Sequence, residues 1–196
     1  MDDIASFTLH ARLVRSQKDG QNAIPAQAVA STLKDLATRW EESWIKQPAF
    51  IQNSDEISAV LGSPRHAFDF AVAINLAAWP LRYQVNVTST GIERTHGAVL
   101  GKAPKQLFTL RLHGFPLAMQ KLIESSAQLH ANIMRDWKPS RAAASTMIRK
   151  VETQQRAAAA LGIRQQSISD ALSAAHAKDL VALEDAVRNC LTTLLA

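Results

Sequence analysis

Side chains that can hydrogen-bond the edges of nucleic-acid bases are concentrated in residues 164–169. Arginine presents a fork of N–H donors that matches guanine, and glutamine presents a donor beside an acceptor, which matches adenine. Serine hydroxyls can bond either a base or a phosphate. The side chains of these types are Arg164, Gln165, Gln166, Ser167 and Ser169. Their concentration in one short segment predicts contact with a nucleic acid.

Small and apolar residues around this segment have the spacing of two helices packed across a tight turn. Ala158 allows the helices to approach closely, and Gly162, four residues later, supplies a left-handed turn. The predicted shared core consists of Leu161, Ile163, Ile168 and Leu172. This spacing resembles that of the helix-turn-helix of DNA-binding proteins, whose second helix reads the major groove. The alternative is an αα-hairpin of the same geometry that binds no DNA.

The positive charge of the chain lies beside the same segment. The whole chain carries a net charge of +5, from 22 basic and 17 acidic residues. Residues 135–164 alone hold seven basic and two acidic side chains, so this stretch of 30 residues has the same surplus as the whole chain. Localised positive charge attracts phosphate backbones. A solvated basic surface with no partner is the alternative interpretation.

Each polar side chain of the segment has a predicted role. We expect Gln165, Gln166 and Ser169 to contact bases, because residues near the start of a recognition helix do most of the base reading. Phosphate contacts are expected from Arg149, Lys150, Arg156 and Arg164, and Ser167 is a further candidate DNA contact. Phosphates would repel Asp170, so we expect it to form a salt bridge with a neighbouring arginine. The alternative is that Asp170 accepts from a cytosine amino group.

Residues 1–115 alternate between strand and helix patterns in the order β-α-β-β-α-β, followed by a loop and a last strand. The apolar patterns predict strands at residues 6–14, 49–51, 57–61, 81–88 and 107–112. Helical spacing predicts two helices, one over 25–47 whose apolar face includes Trp40 and Trp44, and one over 65–79. This order of elements is that of ferredoxin-like and nucleotide-cyclase-like domains.

From about residue 116 the strand signal disappears. The expected fold class is therefore α+β, with a ferredoxin-like or cyclase-like domain at 1–115 followed by an all-α helix-turn-helix domain at 116–196. Helices are expected to cover 117–137, 141–151, a short stretch capped by Thr153, and 165–196. Near the end, apolar residues at three-four spacing either cover the helical domain or form a dimer seam. They are Leu180, Leu183, Val187, Cys190 and Leu194.

Several segments together carry a resemblance to a known family. They are the turn at 54–57 with the helix at 64–79, the strand LRYQVNVTSTGIER, and the pattern Q-x-x-A-A-x-L-G-I-x-x-x-S-I-S at 155–169. In these features and in the order of its elements, the chain is similar to the SatD family of bacterial proteins over nearly its full length. The hairpin at 53–57 also resembles the signature turn of GGDEF cyclases. The resemblance implies an architecture rather than a reaction.

The residues needed for cyclase chemistry are incomplete. A cyclase holds two metal ions with carboxylates from the first strand and from the hairpin. Ala11 and Arg12 stand where relatives have a Gly-Asp pair, and the hairpin retains only Asp55 and Glu56 as candidate metal ligands. We therefore expect no catalytic activity and no cofactor. The alternative is that Asp55 and Glu56 still bind a ligand or a metal ion.

The remaining composition narrows the class of protein. The single cysteine excludes a disulfide framework and a cysteine-based zinc site, no run approaches the ~18 apolar residues of a membrane span, and residues 1–4 lack the order of a secretion signal. We expect a cytoplasmic, sequence-specific binder of double-stranded DNA, a bacterial transcriptional regulator. Its first domain would sense a small-molecule effector, bind a partner or form a homodimer. The alternatives are a nucleotide- or metal-binding module or enzyme of the nucleotide-cyclase type, and a protein–protein interaction adaptor.

Overall fold

A computed structural model describes residues 6–14, 26–39, 41, 44–51, 56–62, 65–89 and 106–193. These residues form an α+β structure with a mixed sheet of five strands and with seven helices. The chain divides into two compact units. The first, called the sheet unit, consists of 1–128 and 187–196, and the second, called the helical unit, consists of 129–186.

The five strands lie in the order β2-β3-β1-β4-β5. Their bounds are β1 Phe7–Val14, β2 Trp44–Ile51, β3 Glu56–Leu61, β4 Arg82–Ser89 and β5 Phe108–Arg111. Neighbouring strands are antiparallel, except that β4 and β5 are parallel. On β1 every second residue is apolar and buried, and the residues between them are partly or fully exposed. This is the pattern expected of a strand with one face on the core and one face towards solvent.

Two helices from the first half of the chain contribute to the core of the sheet unit. Helix α1 spans Ala26–Arg39 and helix α2 spans Arg65–Ala78, and they contact each other. Leu33 and Leu36 of α1 and Phe68 of α2 are buried with the apolar strand residues in one cluster. The ring of Phe68 meets that of Phe108 edge-on, with 5.9 Å between ring centroids. The predicted order β-α-β-β-α-β, followed by a further strand, is confirmed.

The predicted end of the first helix was wrong. Helix α1 ends at Arg39, and Trp44 begins strand β2 instead of continuing the helical apolar face. Strand β2 contains Pro48, which lacks an N–H group and is tolerated at the edge of a sheet. The register of β2 against β3 shifts between Lys46 and Ala49, on either side of this proline. Trp40 lies outside the described residues.

The sheet unit extends beyond residue 115 because the start of the next helix closes its edge. Helix α3 spans Leu117–Arg135 and places three polar side chains, four residues apart, along β5. The backbone N–H groups of Leu112, Leu110 and Leu107 donate to side-chain oxygens of Gln120, Glu124 and Gln128 at 3.2, 2.9 and 2.9 Å. This polar ladder thus provides acceptors for backbone N–H groups of β5 and of the residues on either side of it.

The last helix, α7, spans Ala177–Thr193 and contributes to the same core from the other end of the chain. Val187 and Leu191 are buried in the apolar cluster of the sheet unit. The Nε group of Arg188 donates to Oδ1 of Asp69 at 2.6 Å. The two units therefore divide the chain inside α3 and α7, and not at the predicted boundary between 115 and 116.

The predicted all-α character of the C-terminal region is confirmed from residue 117 to 193. Three helices lie between α3 and α7: α4 Pro139–Val151, α5 Gln154–Leu161 and α6 Gln165–Ala174. The predicted continuous helix from 165 to the end is interrupted between α6 and α7, where His176 has a φ of +53°. In the described part of the chain, the helices are too short or too polar to cross a membrane.

Candidate nucleic-acid interface

Helices α4, α5 and α6 each contact the other two. Their shared core consists of Ala144, Ala157, Ala158, Ile168 and Leu172, all buried. The small side chain of Ala158 in this core lets the helix backbones approach closely. Ile168 and Leu172, four residues apart on α6, form the inward face of that helix. The predicted core positions Ala158, Ile168 and Leu172 are confirmed.

The turn between α5 and α6 has the predicted left-handed glycine. Gly162 has a φ of +65°, a conformation that costs little for glycine and is strained for other residues. Its N–H donates to the Ala159 carbonyl at 3.2 Å, and the N–H of Ile163 donates to the Ala158 carbonyl at 3.1 Å. These two bonds form a Schellman motif, which ends α5 and directs the chain into α6.

The beginning of α5 also follows the sequence prediction. The hydroxyl oxygen of Thr153 accepts from the N–H of Arg156 at 3.3 Å, so Thr153 is the N-cap of this helix. An eight-residue helix is too short to be stable alone. The Thr153 cap and Gly162 therefore fix where α5 begins and where it ends.

Ile163 was wrongly predicted to belong to the core. Its side chain is 46% exposed. The residue follows Gly162 directly, and the Schellman hydrogen bond of its N–H fixes its backbone at the outside of the turn. Leu161, on the other side of the glycine, is partly buried and packs against the core of the three helices.

The predicted base-contacting side chains lie within the first five residues of α6. Gln165, Gln166 and Ser167 are exposed, and Ser169 is half-buried. Arg164 is the N-cap residue of α6, and no side-chain hydrogen bond caps this helix start. The positive end of the helix dipole lies here, which favours a negatively charged group.

Three of the four predicted phosphate-contacting side chains are accessible. Lys150, at the end of α4, and Arg156, in α5, are exposed, as is Arg164. Arg149 has a different role, because its guanidinium forms a bidentate ion pair with Glu184 and is only 28% exposed. We therefore leave Arg149 out of the candidate interface. Its sequence position beside Lys150 gave no indication of this difference.

Glu184 of α7 is the centre of a buried polar cluster that the sequence did not predict. Its carboxylate is almost fully buried, and Nε2 of His130 lies 2.8 Å from Oε1. Burial alone would raise the pKa of this carboxyl. Hydrogen bonds from His130 and Arg149, together with the attraction of their charges, instead lower the pKa of Glu184 to about 2. The cluster joins α3, α4 and α7 within the helical unit. The position of Glu184 next to Leu183, within the apolar three-four pattern of α7, was the available sequence signal.

Asp170 has a partner other than the predicted arginine. Its Oδ1 accepts from Nε2 of Gln166 at 2.8 Å, one turn earlier on α6. Both side chains are exposed on the outward face of the helix. A glutamine four residues before an aspartate is well placed for such a bond, so the spacing could have indicated it.

The apolar residues near the C-terminus are used for burial within the chain. Leu180 and Val187 are buried, and Leu183 and Cys190 are half-buried. This favours the first of the two predicted roles, covering the chain's own core, over a dimer seam. Leu194 lies outside the described residues.

The hairpin acids are only partly described. Asp55 lies outside the described residues. Glu56, at the start of β3, faces Arg12 of β1, with 3.7 Å between Nε and Oε1. A cation therefore stands beside Glu56 where a two-metal site would need a second carboxylate. Within the described ranges, no group of three or more His, Cys, Asp or Glu side chains is placed to hold a metal ion.

Comparisons with protein-family models, with curated proteins and with solved structures found no match to this chain. The interpretation of the candidate interface therefore depends on its own residues and geometry.

Proposed function

We propose that the helical unit binds double-stranded DNA, with α5 and α6 acting as a helix-turn-helix and α6 as the recognition helix. The observation that carries the proposal is the exposure of the first turn of α6, next to the buried positions that hold the helix in place. Ile168 and Leu172 are buried against α4 and α5, whereas Gln165, Gln166 and Ser167 are exposed. Amide and hydroxyl groups at the exposed start of a short, firmly packed helix suit the major groove.

The electrostatic part of the proposal rests on Lys150, Arg156 and Arg164. All three are exposed, and they precede α6 in the chain or begin it. Contacts of such side chains with phosphates release counterions and orient the helix without reading sequence. We assign Gln165, Gln166 and Ser169 to base edges, and Ser167 to a base or a phosphate.

We further propose that the protein is a cytoplasmic bacterial transcriptional regulator related to the SatD family. The sheet order β2-β3-β1-β4, with α1 and α2 packed into one core, supports a ferredoxin-like arrangement for the sheet unit. The ion pair between Arg12 and Glu56 supports a domain that is inactive as a cyclase. Its role would be to bind a small-molecule effector or a second copy of the chain.

The proposal is tested by binding of labelled duplex pools to the wild-type chain at about 50 and about 200 mM salt. We expect a sequence-selective complex whose affinity falls steeply with salt. Gln165→Ala with Gln166→Ala should remove the sequence preference and leave the salt dependence. The matched control is Lys178→Ala, which removes an exposed cation from α7 and should leave both unchanged.

Absence of salt-sensitive binding would contradict the proposal and leave the helical unit as a protein-binding module. Calorimetry with nucleoside triphosphates and Mg²⁺ tests the nucleotide-binding alternative for the sheet unit. We expect no heat of binding and no turnover. Turnover would show that the cyclase-like alternative is correct.

A further inference from the structure

The hydrogen bond between Gln166 and Asp170 places an acidic side chain on the proposed DNA-binding surface. A carboxylate on a surface that faces phosphates weakens attraction to any DNA. Asp170 is exposed and one helical turn from Gln166, to which it is bonded at 2.8 Å. The acid therefore opposes non-specific binding, and its contact is with a candidate base-reading side chain.

The bond determines which groups of Gln166 remain for a ligand. A glutamine amide has two N–H donors and one carbonyl oxygen. With one N–H committed to Asp170, one N–H and the oxygen remain. Adenine presents an acceptor, N7, and a donor, the N6 amino group, in the major groove. The remaining groups of Gln166 are complementary to that pair.

The bond also restricts a flexible side chain before binding. A free glutamine loses rotamer freedom when it pairs with a base, and this loss opposes binding. Asp170 holds the end of the Gln166 side chain, so less freedom is lost on contact with DNA. Gln165 is exposed on the same helix, and no bond of this kind is seen for it among the described residues.

We propose that Asp170 is a positioning residue that orients Gln166 for adenine and so sets the base preference at one position of the DNA site. The inference rests on the proposed function. Asp170 itself contacts no base. Its negative charge lowers affinity for matched and unmatched DNA alike.

The test compares Asp170→Ala with Asp170→Asn in the full chain. Asparagine keeps a side-chain oxygen that can accept from Gln166 and removes the charge, whereas alanine removes both. Asp179→Ala is the matched control, since it removes another exposed carboxylate from the same unit. Each variant is selected against randomised duplexes, and its affinity is measured on the preferred duplex and on duplexes changed at single positions.

We expect the wild type to prefer adenine at the position read by Gln166. Asp170→Ala should reduce this preference about tenfold, within the range for one bidentate base contact, while affinity for unrelated DNA rises a few-fold. Asp170→Asn should retain the preference. The double variant Gln166→Ala with Asp170→Ala should lose no more preference than Gln166→Ala alone, because the two residues act as one unit.

Any one of three results would overturn the inference. The first is that Asp170→Ala retains the wild-type base preference, and the second is that Asp170→Asn loses as much base preference as Asp170→Ala. The third is that the wild type binds duplexes without any base preference. Failure of the proposed function is distinguishable, because the wild type would then show no salt-sensitive binding to any duplex. Asp179→Ala should match the wild type in base preference.

Discussion

Two helices of this protein carry glutamine and acidic side chains at four-residue spacing, and they use them in opposite ways. On α3 of the sheet unit, Gln120, Glu124 and Gln128 accept hydrogen bonds from the backbone beside and within β5. On α6 of the helical unit, Gln166 and Asp170 are exposed and bond each other. The same residue types thus bond the backbone of a sheet in one region and remain on the surface in the other.

The same contrast holds for two neighbouring cations. Arg149 neutralises the buried carboxylate of Glu184, while Lys150, the next residue, is exposed. Adjacent residues on a helix point about 100° apart. Residue type and sequence position therefore do not distinguish a cation that neutralises a buried acid from one that is exposed to solvent.

The largest expected effect is on the buried cluster. Glu184→Ala removes the carboxylate that satisfies Arg149 and His130, so we expect the free energy of unfolding to fall by about 3–5 kcal/mol. Urea denaturation measures this change. Asp179→Ala, which removes an exposed acid from the same helix, should cost less than about 0.5 kcal/mol. An equal loss in both variants would contradict a structural role for Glu184.

The same carboxylate predicts a dependence of stability on pH. The pKa of Glu184 is about 2 in the folded chain, against an ordinary value of 4.5. A lowered pKa stabilises the fold fully above pH 4.5, and this contribution is lost as pH falls towards 2. The contribution is about 3 kcal/mol in order of magnitude.

Urea unfolding from pH about 6 to about 2.5 tests this prediction. The difference in stability between the wild type and Glu184→Gln should narrow as the pH falls. A difference that stays constant over this range would show that the charge of Glu184 is not what stabilises the cluster.

The polar ladder on α3 should respond more moderately. Glu124→Ala leaves the N–H of Leu110 buried without its acceptor, so we expect a loss of about 1–3 kcal/mol in urea denaturation. Glu124→Gln retains an acceptor oxygen and should lose less. Ser125→Ala changes the exposed neighbour on the same helix and should have little effect. A change in DNA base preference in a Glu124 variant would contradict the purely structural role of these side chains on α3.

The smallest expected effect is that of Lys150→Ala, which is best compared with Arg149→Ala. Lys150→Ala should leave stability unchanged, lower DNA affinity a few-fold and reduce the slope of log affinity against log salt by about 1. Arg149→Ala should lower the free energy of unfolding. The Arg149→Ala protein that remains folded should show the wild-type slope of log DNA affinity against log salt. Anisotropy titrations over a salt series, with thermal melts, measure both. The reverse pattern would place Arg149 on the DNA surface.

Local patterns in the sequence were sufficient for most of the elements. Period-two apolar residues located the strands, and the Thr153 cap, Gly162 and the buried positions of α6 defined the α5–α6 turn. These features depend on residues within a few positions of one another, so backbone conformation and side-chain type determine them directly. Ile163 was the local exception, because the exposure of a turn residue depends on what else packs around it.

Contacts between distant residues were not predictable in this way. Residues 44–48 belong to strand β2 because β3 pairs with them, although the local pattern with Pro48 favours the end of a helix. Arg149 meets an acid 35 positions later, and the N–H of Leu107 meets Gln128. Such pairings depend on which surfaces the complete fold brings together. The composition and periodicity of the chain specify its elements and the chemical groups on α6, whereas long-range packing selects which of those groups are buried and which face solvent.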